Sequence, residues 1–146
     1  MSPVLKFLIG LASVLLMGWT YHGPLGNGEA LIARLEAQAR AAVAQGEVPG
    51  VEVRLRRDPL ARVATLSGAA NDFQREGMGQ FPGINDRVRS VEGITRLEWS
   101  NAPAPSAGER IMPLLLEMLI ALAAAYLVGA GIAWLFFGRA KRDSYL

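Results

Sequence analysis

The residues able to do chemistry in this chain are few. Its only histidine is His22, set between Tyr21 and Gly23. The serines of the central segment, Ser67, Ser90 and Ser100, have no histidine close in sequence, so a nucleophile–base pair would require His22 to fold back onto one of them. There is no cysteine, which excludes disulfides, thiolate metal sites and thiol catalysis. No pair of ligand-type residues has metal-binding spacing, and no glycine-rich loop ends in Lys-Ser or Lys-Thr. Asp72 and Glu76 are four apart, a spacing that shares one helix face, but Arg75 lies beside them. They read as a solvated face rather than an acid–base pair. The expectation is a protein that is not an enzyme and carries no cofactor.

Three features remain. RLRRDPLAR gathers Arg54, Arg56, Arg57 and Arg62 around one hairpin. Such a cluster suits anionic lipid headgroups or an acidic partner, at about 1 kcal/mol per basic residue near a charged bilayer. The plainer alternative is a solvated hairpin tip. The second feature is GMGQFPGIN, residues 77–85, where Met78 and Phe81, followed by Pro82, stand on a loop that the surrounding elements do not demand. These side chains either plug the domain's own core or form a docking loop for a protein partner. The third is Glu117, which precedes an uncharged run. It reads as a carboxylate at headgroup level rather than a buried proton relay, because it lies at the end of the span and the run itself contains no basic residue.

The segments that position these residues begin and end in apolar sequence. Residues 3–23, PVLKFLIGLASVLLMGWTYHG, hold about 18 residues able to cross a bilayer if Lys6 snorkels to the headgroups. A cleaved signal peptide is the competing reading. No small-x-small cleavage motif follows, and Trp19, Tyr21 and His22 resemble an interfacial belt. An uncleaved signal anchor over residues 1–23 is therefore expected. Residues 118–137 form an uncharged run of 20, which at about 1.5 Å per residue covers a hydrocarbon core. This places a second transmembrane helix within residues 111–138. Arg139, Lys141 and Arg142 then crowd a basic tail, residues 139–146, and the positive-inside rule makes that end cytoplasmic.

Two spans put both termini on one side and the middle on the other. The expected location is a bacterial inner membrane, with both termini cytoplasmic and the central domain periplasmic. Residues 22–110 carry 11 arginines and 11 acidic residues, so the middle is neutral and shows no electrostatic footprint for nucleic acid. The formal charge of the whole chain is only +2, and 51% of it is hydrophobic, which fits a membrane protein with a water-soluble insert.

Ala121, Ala125, Gly129 and Ala133 recur every four residues through the second span and share one slowly drifting face. Small faces let helix backbones approach closely, and in lipid such packing drives association. The partner is open at this stage: the first span, where Gly10 and Gly18 supply small sites, a foreign helix, or a second copy. Membrane lipid and other integral membrane subunits are the expected partners, with homo-oligomerisation as a further option.

Between the spans the periodicity changes. Pro24, Gly26 and Gly28 break the first helix, and Asn27 is placed to cap the next. Residues 29–45 put Leu31, Leu35, Ala39 and Val43 on one face, with Glu36 and Arg40 as an i,i+4 pair. VEVRLRR alternates with period two, Asp58-Pro59 turns the chain, and RVATLSG returns as a second strand ended by Gly68. Asn71 and Gln74 have capping-box spacing, so a short helix starts near Asp72. Another is expected over about 83–91, ended by Gly93, and ITRLEWSN supplies a third strand. NAPAPSAG, residues 101–108, marks a proline–alanine linker, assigned to residues 102–110. The fold class is α+β: a small αββαβ domain, residues 24–101, between two transmembrane helices.

This order resembles a BON domain, a small periplasmic and outer-membrane-associated module. The resemblance rests on VATLSGAAND and VRSVEGITRLEWSN, at Val63, Leu66, Gly68, Val91, Gly93, Ile94, Leu97 and Asn101. It departs from the family in an extra residue between Val63 and Leu66 and in a second helix interrupted by GMGQFPG. The resemblance implies binding to phospholipid surfaces or the joining of envelope proteins. Photosynthetic or respiratory complexes are among the assemblies that recruit small two-span subunits of this kind.

Overall fold

The structure, a computed structural model, describes residues 2–101 and 111–137. The expected linker and basic tail, including Arg139, Lys141 and Arg142, lie outside the described residues. The chain forms two compact units, one containing the two terminal helices and one spanning Gly26–Leu114.

In the first unit, α1 runs over Pro3–His22 and α5 over Leu114–Phe137. Ser2 caps α1 by accepting a hydrogen bond from Leu5 N at 3.2 Å, and Pro3 at the first position loses nothing because that N–H has no helical partner. Both helices are long and apolar enough to cross a membrane. Their large apolar side chains, among them Leu8, Leu16, Val128, Ile132 and Phe136, are exposed. A water-soluble helix would turn such a stripe inward, so this surface supports a membrane protein. The hydroxyls inside α1 are internally satisfied, Ser13 Oγ donating to Ile9 O and Thr20 Oγ1 to Leu16 O, each at 2.8 Å.

The second unit contains α2 (Asn27–Ala44), β1 (Glu52–Arg57), β2 (Leu60–Ser67), α3 (Asp72–Glu76), β3 (Gly77–Met78), β4 (Phe81–Pro82), α4 (Ile84–Arg89) and β5 (Arg96–Trp99). The αββαβ order is present, with a two-residue hairpin, β3–β4, inserted between the short helices. The main sheet has the order β1-β2-β5; β1 and β2 are antiparallel, whereas β2 and β5 are parallel. A parallel return needs a crossover, and the segment from α3 through α4 supplies it.

Cross-strand register explains the core. Val53 faces Leu66 and Leu55 faces Ala64, while Ala64 and Leu66 also face Leu97 and Trp99. These residues share one face. Ile32, Leu35, Ala39 and Val43 of α2, with Ile84 and Val88 of α4, cover it. Burying a side chain as completely as Ile32, Leu66 or Ile84 contributes about 1.5–3 kcal/mol each.

Several local expectations shift. Asn27 is not the cap of α2. That position belongs to Gly26, whose φ of +70° favours glycine, and the helix starts at Asn27, earlier than the expected residues 29–45. The second strand starts at Leu60, earlier than the sequence pattern, because pairing of Arg57 with Leu60 carries the ladder to the turn. The Asp58-Pro59 peptide in that turn is cis. Gly68, at φ +122°, packs so closely on the Gly50 backbone that any side chain would collide with it. Gly93, at φ +102°, gives its turn room beside the Leu35 methyls.

Candidate docking site

The most distinctive surface lies at the β3–β4 hairpin. It starts from a capping box: Gln74 N donates to Asn71 Oδ1 at 2.8 Å and Asn71 N to Gln74 Oε1 at 2.9 Å. This launches α3 at Asp72, as the spacing predicts. The helix stops after five residues because Gly77 takes φ +76° and turns the chain out. Met78 then pairs with Phe81 across the hairpin, and Gly77 with Pro82. Gly77 and Gly83 lie so near the backbone of Phe81 and Arg75 that a Cβ at either would overlap main-chain atoms. The bend is therefore fixed by close backbone packing.

A polar network braces it. Asn85, 3% exposed, donates from Nδ2 to Glu76 Oε1 at 2.7 Å and accepts from Trp99 Nε1 at 2.9 Å. The Arg75 guanidinium lies 4.1 Å from the Trp99 ring centroid, a cation–π distance, and Arg75 Nε donates to Ala70 O at 3.0 Å. Asn85 thus ties the end of α3 to α4 and to β5. Asn85, Glu76 and Trp99 are not legible as a set in the sequence. The available signal was an asparagine next to Ile84, at the start of a helix whose Ile84 and Val88 are buried.

On this braced turn Met78 is 69% and Phe81 67% exposed. Of the two readings of the loop, the core plug is thereby removed. As direct cross-strand partners the two side chains are neighbours, about 5 Å apart at Cβ. Phe73, on α3, is exposed as well, and Pro82 is exposed on β4.

The arginine hairpin has a different character. Arg57 lies 3.4 Å from Glu29 and 3.6 Å from Glu36, both on α2. Arg56 lies 3.7 Å from Glu98, which Arg96 also contacts at 2.8 Å, and Arg54 lies 3.4 Å from Glu52. The ladder is irregular between Leu55 and Arg57, and Arg57 reaches carboxylates of α2, which covers the core face, whereas Arg56 reaches Glu98 of β5 and Arg54 reaches Glu52. The four-arginine cluster expected from sequence is thus divided between two faces, and three of its members face carboxylates. Arg62 is also engaged within the protein.

The small sites of the terminal helices also separate. Within the first unit, Gly10 sits against Tyr126, whose hydroxyl donates to Phe7 O at 2.8 Å; the Phe7 and Tyr126 ring centroids are 5.3 Å apart. Gly18 sits against Leu122 and Leu119. The glycines of α1 therefore receive large side chains of α5. Ala121, Ala125, Gly129 and Ala133 are exposed, on the row one residue away from Leu122 and Tyr126, about 100° around the helix. Of the three partners considered for that stripe, α1 is eliminated.

Elsewhere, Ser90 Oγ donates to Arg87 O at 2.7 Å, a helix-end contact. Among the described residues no cluster of three histidine, cysteine or acidic residues could hold a metal ion. An open groove of about 590 Å³ runs between the end of α2 and β1, lined by Val43, Val48 and Val51 together with Arg40, Glu47 and Arg54. Comparison of the chain with protein-family models, curated proteins and solved structures finds no match.

Proposed function

We propose that the chain is a non-catalytic, membrane-anchored interaction protein, an accessory or assembly subunit of a larger integral membrane complex. In this reading α1 and α5 hold a BON-like module on the periplasmic side of a bacterial inner membrane, with both termini cytoplasmic. The observation that carries it is the pair Met78 and Phe81, exposed side by side on a hairpin whose backbone is fixed. Exposed apolar side chains on rigid turns are what protein interfaces use as anchors, because little side-chain or loop entropy is lost on docking. The αββαβ order, with turns at Gly68 and Gly93, supports the BON-like assignment. The positive-inside pattern of the sequence supports the orientation.

The alternative, a phospholipid-binding envelope tether, draws on Arg54, Arg56, Arg57 and Arg62. The carboxylates facing three of them leave less net charge for headgroups, so the docking reading is preferred.

The test is purification of an epitope-tagged chain in a mild detergent. Co-purification of integral membrane subunits in fixed stoichiometry, lost in the M78S/F81S double variant while the chain itself remains folded and membrane-bound, is the expected result. Recovery of the tagged chain without other integral subunits would overturn the reading.

A further inference from the structure

The two outer edges of the three-stranded sheet are treated differently. Along β2, Ser100 N bonds Leu66 O at 2.8 Å, so even-numbered residues of β2 turn their main-chain groups toward β5 and odd-numbered ones toward β1. On β1 the groups that point outward then belong to Val53 and Leu55. That edge is closed: Val53 is 1% and Leu55 4% exposed, and the Leu55 amide is bonded to a carboxylate of α2 at 3.0 Å. On β5 the outward groups belong to Leu97 and Trp99. Both residues are only partly buried, and among the described residues no strand lies beyond them. An edge of this kind is a template for pairing with another strand.

We propose that β5 pairs antiparallel with β5 of a second copy of this chain, joining two three-stranded sheets into one of six strands. The sequence of the strand selects that occupant. Arg96 and Glu98 already contact each other within the chain at 2.8 Å; centred on Leu97, an antiparallel pair adds Glu98 of the second copy opposite Arg96 and its Arg96 opposite Glu98, a ring of alternating charge, while Leu97 meets Leu97 on the core side. Shifting the register so that Arg96 faces Arg96, or Glu98 faces Glu98, places like charges directly opposite, which is destabilising. The strand is therefore self-complementary in one register. In that register Leu97 exchanges two main-chain hydrogen bonds with its symmetry mate, and the charged pairs fall at the closer, non-hydrogen-bonded positions. The interface is isologous and closes as a dimer. It lies on an element separate from Met78 and Phe81, so it stands or falls independently of the docking reading.

The chain has no cysteine, so L97C introduces a single thiol. In the proposed register the two Leu97 Cα atoms lie about 5.5 Å apart, within disulfide range. Mild oxidation of membranes holding full-length L97C should yield a disulfide-linked homodimer at least about tenfold more abundant than in F81C membranes, whose thiol stands at an exposed position off the edge. Adding R96E should suppress the dimer, because glutamate then faces glutamate, and adding R96E and E98R together should restore it. Each variant is checked for an unchanged circular dichroism spectrum. Equal cross-linking of L97C and F81C, insensitivity to R96E in a folded chain, or capture of a different polypeptide by L97C would each overturn the proposal.

Discussion

Glu36, on α2, accepts a hydrogen bond from the backbone amide of Leu55, on β1, at 3.0 Å. The carboxylate is buried and also meets Arg40 and Arg57. A helix side chain thereby occupies a main-chain donor at a sheet edge beyond which, among the described residues, no strand lies to accept it. The contact couples helix position to strand edge, and it explains how an acidic residue is held inside a small core.

Replacing Glu36 tests that coupling. E36L leaves the Leu55 amide buried without an acceptor and should cost about 1–3 kcal/mol. E36Q keeps an acceptor but loses charge toward Arg40 and Arg57, and should cost less. Denaturant unfolding of the full chain in detergent ranks the two. Hydrogen exchange should show the Leu55 amide losing protection in E36L and largely keeping it in E36Q.

Two arginines of this strand should differ. Arg57 reaches the buried Glu36, whereas Arg54 pairs with Glu52 where both side chains are mostly exposed. R54S should be near neutral, since exposed pairs contribute little. R57S should cost about 1 kcal/mol, a modest figure because Arg57 is itself half-exposed and Arg40 remains on Glu36. Equal effects of the two substitutions in the same unfolding assay would contradict this ordering.

The Asn85 network should control the hairpin. N85A removes the partner of both Glu76 and the Trp99 indole, at about 1–3 kcal/mol for the buried groups left unpaired. W99F keeps a ring under Arg75 and removes one donor, so its effect should be smaller. Hydrogen exchange across residues 76–85 should rise in N85A well beyond its rise in W99F. M78S and F81S should leave stability within about 0.5 kcal/mol of the parent, as expected for exposed side chains.

Within the first unit, glycine substitutions should sort by what they meet. Gly10 and Gly18 lie against Tyr126 and Leu122, so G10L and G18L should break the α1–α5 contact. At Gly129 an added Cβ meets nothing within 4 Å, so G129L should leave that contact intact. Y126F, which removes only the hydroxyl bond to Phe7 O, should cost about 0.6 kcal/mol, typical of hydrogen bonds between membrane helices. Disulfide trapping between cysteines placed on α1 and α5 in membranes reads out all four variants.

The amino-acid sequence by itself determined what depends on near neighbours. Period-two alternation through VEVRLRR marked β1, the Asn71–Gln74 spacing marked the start of α3, and the long apolar runs marked α1 and α5. Gly68 and Gly93 were legible because a strand or helix that must turn sharply needs a residue tolerant of positive φ. Only the tertiary structure decided which groups meet across the chain. It divided the arginine hairpin between two sheet faces, turned the small stripe of α5 away from Gly10 and Gly18, and set Met78 and Phe81 outward rather than into the core. The physical reason is that hydrogen-bond spacing and hydrophobic period are local properties of the chain. Charge partners, helix-face pairing and exposure depend on residues 14 to 119 positions apart, such as Trp99 with Asn85 and Tyr126 with Phe7, and no local pattern encodes which of them will be adjacent.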